Sequence, residues 1–433
     1  MWANESVFYQ IFPLGLCGAP YENDGKPEHR LLHVLDFIPH LKKLGINAIY
    51  FSPLFESDTH GYNTRDYNRI DVRLGDNNDM KKVCETLHKE GFHIILDGVF
   101  NHVGRGFAQF QDVIKNREAS PYKDWFYISF DGNSNYNDGL WYEGWEGNYD
   151  LVKLNLKNPE VQNHLMNAVH NWIQDYDIDG LRLDVAYMVD PDFLRRLRHD
   201  TANWKEDFFL VGETLFGDYN RIMNDEMCHS VTNYECYKGI HSSFNSHNMF
   251  EINHSLMRQF GPDQWCLYRG KHLFSFVDNH DVSRIISTIE NVKQVPLAYL
   301  FIFTMPGIPI VYYGSEWGEP GDKRDGDPAL RPYFPEPEWN GLTDLIQRLA
   351  EIFKQEKALQ YGTFRSVALT NQACAYAREL DGDKIIVCIN ESSVNQTLNF
   401  NEGNEAVNLL TGEEFSLSNG ITLQPYQGVV LKA

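Results

Sequence analysis

The feature that most constrains the fold is an alternation. Short apolar, strand-like runs recur along most of the chain, with segments of helical spacing between them. The runs lie at Val7–Phe12, Ile46–Ser52, Phe92–Leu96 and at 178–183, 207–211, 229–234, 272–277 and 307–312. Leu31, Leu32, Val34, Leu35, Ile38, Leu41 and Leu44 carry the first helical stripe, which Gly45 closes. A second helix is predicted near 79–90, stopped by Gly91, and others near 158–176, 190–204, 291–305 and 341–357. Eight strand–helix units are the arithmetic of a (β/α)8 TIM barrel, so the predicted class is α/β. A doubly wound open sheet shares the alternation, but no glycine-rich nucleotide loop follows the first strand.

Two stretches break the rhythm. Residues 103–157 are aromatic and polar with weak periodicity, which predicts a small inserted domain after the third strand without a strong helix. After residue 357 the chain turns to β-like runs such as Lys384–Ile389 and Gly428–Leu431, with turns at Asp381-Gly382 and Thr411-Gly412. The expected organisation is a barrel over 1–102 and 158–357, an inserted domain over 103–157, and a C-terminal all-β sandwich over 358–433. At 433 residues the chain exceeds what one ordinary core organises.

A formal net charge of −22 argues against nucleic acid or an anionic membrane as partner. No run approaches the ~18 apolar residues of a membrane span, and no signal-peptide pattern opens the sequence. Seven scattered cysteines without a C-x-x-C pair suit free thiols in a reducing compartment, so a cytoplasmic location is expected.

Four of the strands run directly into acidic groups. Ile94-Ile95-Leu96 leads to Asp97, Asn101 and His102; Gly180-Leu181 leads to Arg182 and Asp184; Leu210-Val211 leads to Gly212 and Glu213; Phe276-Val277 leads to Asp278, Asn279, His280 and Asp281. In a barrel these ends share one face, so the acids converge. Asp184 and Glu213 end neighbouring strands ~4.8 Å apart, which permits the ~5–5.5 Å carboxyl separation of a retaining glycosidase. Arg182, two residues before Asp184, shares its face and is expected to keep Asp184 ionised, as a nucleophile requires. Like-charge repulsion from Asp184 and Asp281 is expected to hold a proton on Glu213, as a general acid requires. A metallohydrolase barrel would need a His-x-His on the first strand, and Phe8-Tyr9-Gln10-Ile11 has none.

Asp97-Gly-Val-Phe-Asn-His102, Gly180-Leu-Arg-Leu-Asp184, Gly212-Glu213 and Asn279-His-Asp281 together resemble the four signature regions of the α-amylase family of glycoside hydrolases. The resemblance implies Asp184 as nucleophile, Glu213 as general acid/base and Asp281 as transition-state stabiliser. It implies Arg182, His102, His280 and Tyr62 at the sugar of the cleavage subsite. Leu151-Val-Lys-Leu-Asn155 is similar to a motif of neopullulanases and cyclomaltodextrinases, and Asp327-Pro-Ala-Leu-Arg331 to an arginine loop of oligosaccharide-degrading members, which adds Arg331 as a substrate-binding residue.

Two departures bear on subtype: Asn63 stands for the usual aspartate after Gly-Tyr, and Ala186-Tyr187-Met188 stands where many calcium-dependent members carry Lys-His. No cofactor is expected to be required. Calcium is left open, with Asn101 corresponding to a family calcium ligand and Asn23-Asp24-Gly25 a second place for a cation. The expected partner is an α-glucan oligosaccharide, cleaved at α-1,4 bonds; monomer and homodimer are not distinguished. The aromatic run Trp141, Tyr142, Trp145 and Tyr149 is expected to wall the barrel mouth. The rivals are a glucanosyl transferase using the same intermediate, a sucrose-acting member, and a non-catalytic family member.

Overall fold

A computed structural model describes residues 1–403 and 405–433. Eight parallel strands form the centre: β1 Phe8–Ile11, β2 Ala48–Phe51, β3 His93–Gly98, β4 Gly180–Leu183, β5 Phe209–Gly212, β6 Ser230–Val231, β7 Phe274–Ser275 and β8 Ile308–Tyr312. They pair in the order β6-β5-β4-β3-β2-β1-β8-β7. A parallel bridge between Thr232 and Phe274 joins β6 to β7 and closes the barrel. The predicted runs at 229–234 and 272–277 shorten to two-residue strands, because the ladder here is little more than that closing contact.

Strand alternation decides what faces inward. Tyr9, Ile49, Leu96, Leu181, Leu183, Leu210 and Val311 belong to the large core between barrel and helices. Phe8, Ala48, Tyr50, Ile95, Phe209, Val211, Phe274, Ile308 and Ile310 form a separate cluster inside the barrel. Gly180 sits on that inner face because a Cβ there would meet the Phe209 carbonyl oxygen at 2.3 Å. Following the same parity, the last inward positions of β1 to β4 are Gln10, Tyr50, Asp97 and Arg182. The barrel interior therefore turns from apolar to polar at its C-terminal mouth.

The helices follow the predicted stripes, fixed by side-chain caps such as the Asp76–Asp79 capping box of Asn77–Lys89 and Asn158 at Pro159–Tyr176. The stripe over 31–44 splits into a 3-10 helix, Arg30–Phe37, and an α-helix, Ile38–Leu44. Pro39 has no N–H to continue an unbroken helix and is tolerated only in the first turn.

The inserted segment differs from expectation by holding a helix, Ala108–Asn116, of which only Phe110 and Val113 are buried. At nine residues the stripe of Phe110, Val113 and Ile114 spans too few turns to stand out in an aromatic and polar segment. The segment also forms three antiparallel strands, His102–Gly104, Asn148–Lys153 and Gly144–Trp145, and a short pair, Ile128–Ser129 with Trp141–Tyr142, whose Tyr142 ring meets Phe110 of the helix at 4.9 Å.

From Thr363 onward the chain forms a six-stranded antiparallel sheet and a two-stranded one, with Ala375, Ile386, Cys388, Leu398, Leu417 and Leu423 between them. The other face of the larger sheet meets the barrel helix Val295–Thr304, where Tyr376 stacks on Phe301 at 6.0 Å. Sheet on one side and barrel on the other explain why all but one residue of that helix is buried. Among the described residues no helix is long and apolar enough to cross a membrane.

Candidate active site

The barrel mouth opens into a cavity of about 540 Å³. Tyr62, His102, Asp184, Glu213, Asp281 and Arg331 line it, and Arg182 and His280 lie beneath. All eight residues singled out from the sequence thus meet in one place.

Arg182 is the centre of the arrangement. Its Nη1 donates to Asp184 Oδ1 at 2.9 Å and to Asp97 at 2.9 and 3.1 Å, and its Nη2 lies 2.8 Å from Glu213 Oε1. One buried guanidinium serves three buried carboxyls. Its charge is divided, which corrects the expectation that it holds Asp184 ionised: burial raises the Asp184 pKa well above its ordinary value, Arg182 only opposes this, and Glu213, Asp97 and Asp281 raise it further. Burial also raises Glu213, again against Arg182, with Asp281 adding to the rise. The Glu213 charge is among those that raise Asp184, so ionising one of the two carboxyls disfavours ionising the other. Both Glu213 oxygens accept bonds, one from Arg182 and the other from the Val185 N–H at 2.9 Å.

Asp281 behaves differently. Against the burial that would raise it, His280 and Arg331 hold it well below the usual carboxylate range. Its Oδ2 lies 3.0 Å from His280 Nε2, and its Oδ1 accepts from Arg331 Nη2 at 2.9 Å. His280 is fixed from behind by Gln10 Nε2, 2.7 Å from its Nδ1, and from above by Tyr62, whose ring stacks at 5.5 Å and whose hydroxyl bonds its Nε2. Burial pushes His102 down to about 3, so its ring is neutral at pH 7, 3.8 Å from Asp184 Oδ2. The mouth thus presents two carboxyls whose pKa values burial raises, a third held well below the usual range, and an aromatic face.

Residues 24–361 of the chain match the Alpha amylase, catalytic domain family model. The chain belongs to the α-amylase family. It is a glycoside hydrolase, and residues 364–430 match the Maltogenic Amylase, C-terminal domain model. It is 33% identical to a cyclomaltodextrinase of Thermoanaerobacter pseudethanolicus over 100% of this chain and 78% of that protein. It is 30% identical to an intracellular maltogenic amylase of Bacillus subtilis over 100% and 77%. The cyclic α-maltosyl-(1→6)-maltose hydrolase of Arthrobacter globiformis, in complex with cyclic α-maltosyl-(1→6)-maltose, superposes with a TM-score of 0.85 at 27% identity, covering 100% of this chain and 99% of that one.

Within this α-amylase family site, several residues escaped the candidate set. Asp97 accepts from Arg182, from Tyr50 at 2.8 Å and from Tyr62 at 3.1 Å, and so joins the carboxyl cluster to the stacked pair. Its signal was visible, since it ends an apolar strand as Asp184 does. Gln10 and Tyr50 gave no motif, and only barrel parity would have found them. The aromatic wall is narrower than expected: Trp145 lines the cavity, whereas Tyr142 is buried against Phe110 and Tyr149, and Trp141 does not reach the cavity.

Among the described residues no group of three or more His, Cys, Asp or Glu gathers at either candidate cation position. The Asn101 amide lies 3.2 Å from His102 Nδ1. The Asn23 amide donates to Glu56 and to the Ser57 carbonyl, both at 2.8 Å, while Arg65 and Arg69 stand 3.9 Å from the same Glu56. Hard cations require converging oxygen ligands, and here amide and guanidinium donors take that place. Dialysis against a chelator is expected to leave turnover unchanged. A loss that calcium restores would contradict this.

Proposed function

We propose that this enzyme hydrolyses α-1,4-glucosidic bonds of short maltodextrins or cyclodextrins with retention of anomeric configuration. The observation that carries the reading is the single Arg182 guanidinium within 2.9 Å of Asp184 and 2.8 Å of Glu213. A pair bridged this way fits the ~5–5.5 Å separation of retaining enzymes better than the ~6.5–9.5 Å that admits an inverting water. Asp184 attacks the anomeric carbon as nucleophile. Glu213 protonates the leaving oxygen and then activates water. Asp281, held ionised, opposes the positive charge of the oxocarbenium-like transition state.

Substrate entry turns Glu213 from Arg182 toward the glycosidic oxygen. This leaves the guanidinium to Asp97 and Asp184 and favours Asp184 as the ionised partner. Tyr62 offers its face to the sugar ring, and His102, His280, Arg182 and Arg331 position it. No cofactor takes part. The α-glucan oligosaccharide is the only partner invoked, and a cytoplasmic setting accords with the intracellular maltogenic amylase to which the chain is similar.

A cavity of about 540 Å³, with Trp145 on its wall, supports oligosaccharides over polymer. The expected result is a higher kcat/KM on maltopentaose or β-cyclodextrin than on gelatinised starch, per mass of glucan. Equal or better efficiency on starch would return the enzyme to general polymer-degrading amylases.

A further inference from the structure

At the N-terminal ends of β7 and β8, the end of the barrel remote from the catalytic mouth, lies a cavity of about 120 Å³. His272 and Gly307, just before those strands, line it from the barrel, and Arg378, on the C-terminal strand Ala373–Leu380, lines it from the β domain. Arg269 and Lys271 add two more basic groups, and no aspartate or glutamate lines the cavity. This runs against a composition in which 60 Asp and Glu outnumber 38 Lys and Arg.

Arg378 is 1% exposed and is answered by main-chain carbonyls: Thr304 at 2.8 Å, Gly362 at 3.0 Å and Thr363 at 3.2 Å. Each terminal nitrogen uses one N–H in these bonds and retains another. Arg73, equally buried, pairs with Asp71 at 2.7 Å instead. Burial pushes the Arg378 guanidinium down to about 9, because a cation taken out of water without a counter-charge is disfavoured. Arg269 is likewise held by carbonyls, those of Gly261 at 2.8 Å and Asp263 at 2.5 Å. Gln360 lines the same cavity, and its Oε1 is buried without a hydrogen-bond partner. The Gln360 Nε2 donates to the Phe353 and Lys354 carbonyls at 2.9 and 3.2 Å, which fixes the amide's orientation and leaves Oε1 in need of a donor.

We infer that this cavity binds inorganic phosphate. The ionised oxygens accept from Arg378, Lys271 and Arg269, and the remaining hydroxyl donates to Gln360 Oε1. That hydroxyl selects among oxyanions. Sulfate has none, and a phosphate ester, with a second pKa of about 6, has lost most of its own at pH 7. Bound phosphate joins the base of the barrel to the β domain and stabilises the folded chain by mass action.

The test is calorimetric titration at pH 7 and constant ionic strength with inorganic phosphate, sulfate and glucose 6-phosphate, on wild type and Lys271→Gln. Lys271 is half-buried and lies away from the catalytic mouth, so the variant keeps its fold and its turnover on maltoheptaose. Phosphate is expected to bind wild type saturably, one per chain, and Lys271→Gln to weaken it about tenfold, the scale of one charge-assisted hydrogen bond. Sulfate and the ester are expected to bind about tenfold more weakly than phosphate, since each leaves Gln360 Oε1 unpaired. The inference is overturned by no saturable phosphate binding, by binding that Lys271→Gln leaves unchanged, or by sulfate or the ester binding as tightly as phosphate.

Discussion

Asp184→Asn is expected to lower turnover on maltoheptaose by about 10⁴-fold, the scale on which enzymes lose rate when a nucleophile is removed. Asparagine keeps the shape and retains an oxygen to accept from Arg182 Nη1, so sugar binding and the surrounding hydrogen bonds persist. It removes the negative charge and the oxygen that attacks. The structure adds a second expectation. Asp184 shares one guanidinium with Asp97 and Glu213, so neutralising it relieves repulsion in a buried cluster. The variant should therefore melt no lower than wild type. Kinetics and thermal unfolding on the same preparation check both halves. Near-normal turnover would take Asp184 out of the chemistry, and a large drop in Tm would mean its charge is structurally required.

Arg182→Ala is expected to be the most destabilising single change at the site. It strips Asp97, Asp184 and Glu213 of their common cation in a place where none of them reaches water freely. Breaking a buried ion network from one side costs about 3–5 kcal/mol, which lowers Tm by roughly 3–6 °C in a protein of this size. The pH dependence gives the cause. Burial already raises Asp184 and Glu213, and without the opposing arginine their folded-state pKa values rise further. Groups raised above their unfolded values stabilise the fold below the unfolded pKa, and that stability is lost as pH rises through the folded pKa. The Tm gap between wild type and variant should therefore widen from pH 5 to pH 7. A gap that stays constant with pH would point to lost packing instead.

The barrel was legible because short continuous apolar runs, buried on both faces as strands, alternate with helices such as Pro159–Tyr176 that begin at Asn-Pro and carry a continuous apolar stripe. Residues that end strands in acids were legible for the same reason, since strand ends in a barrel share a face. What was not legible depends on contacts between distant elements. Gln10 holds His280 across 270 positions, and no local pattern marks it. The division of Arg182 among three carboxyls, which reverses the expected direction for Asp184, requires knowing which carboxyl each guanidinium nitrogen reaches. Helix Ala108–Asn116 was missed because it is only nine residues long, and Tyr142 was read as a wall residue because an aromatic gives no sign of which way it faces.

The account rests on Asp184 and Glu213 acting as a nucleophile and acid pair, and the anomer first released tests that most directly. Proton NMR of maltoheptaose digestion, recorded before mutarotation mixes the products, resolves the newly formed reducing ends. The account predicts that the α-anomer appears first and decays toward equilibrium. A first product in the β-configuration would contradict it, since that requires a water between two separated carboxylates and leaves no role for the pair that Arg182 bridges.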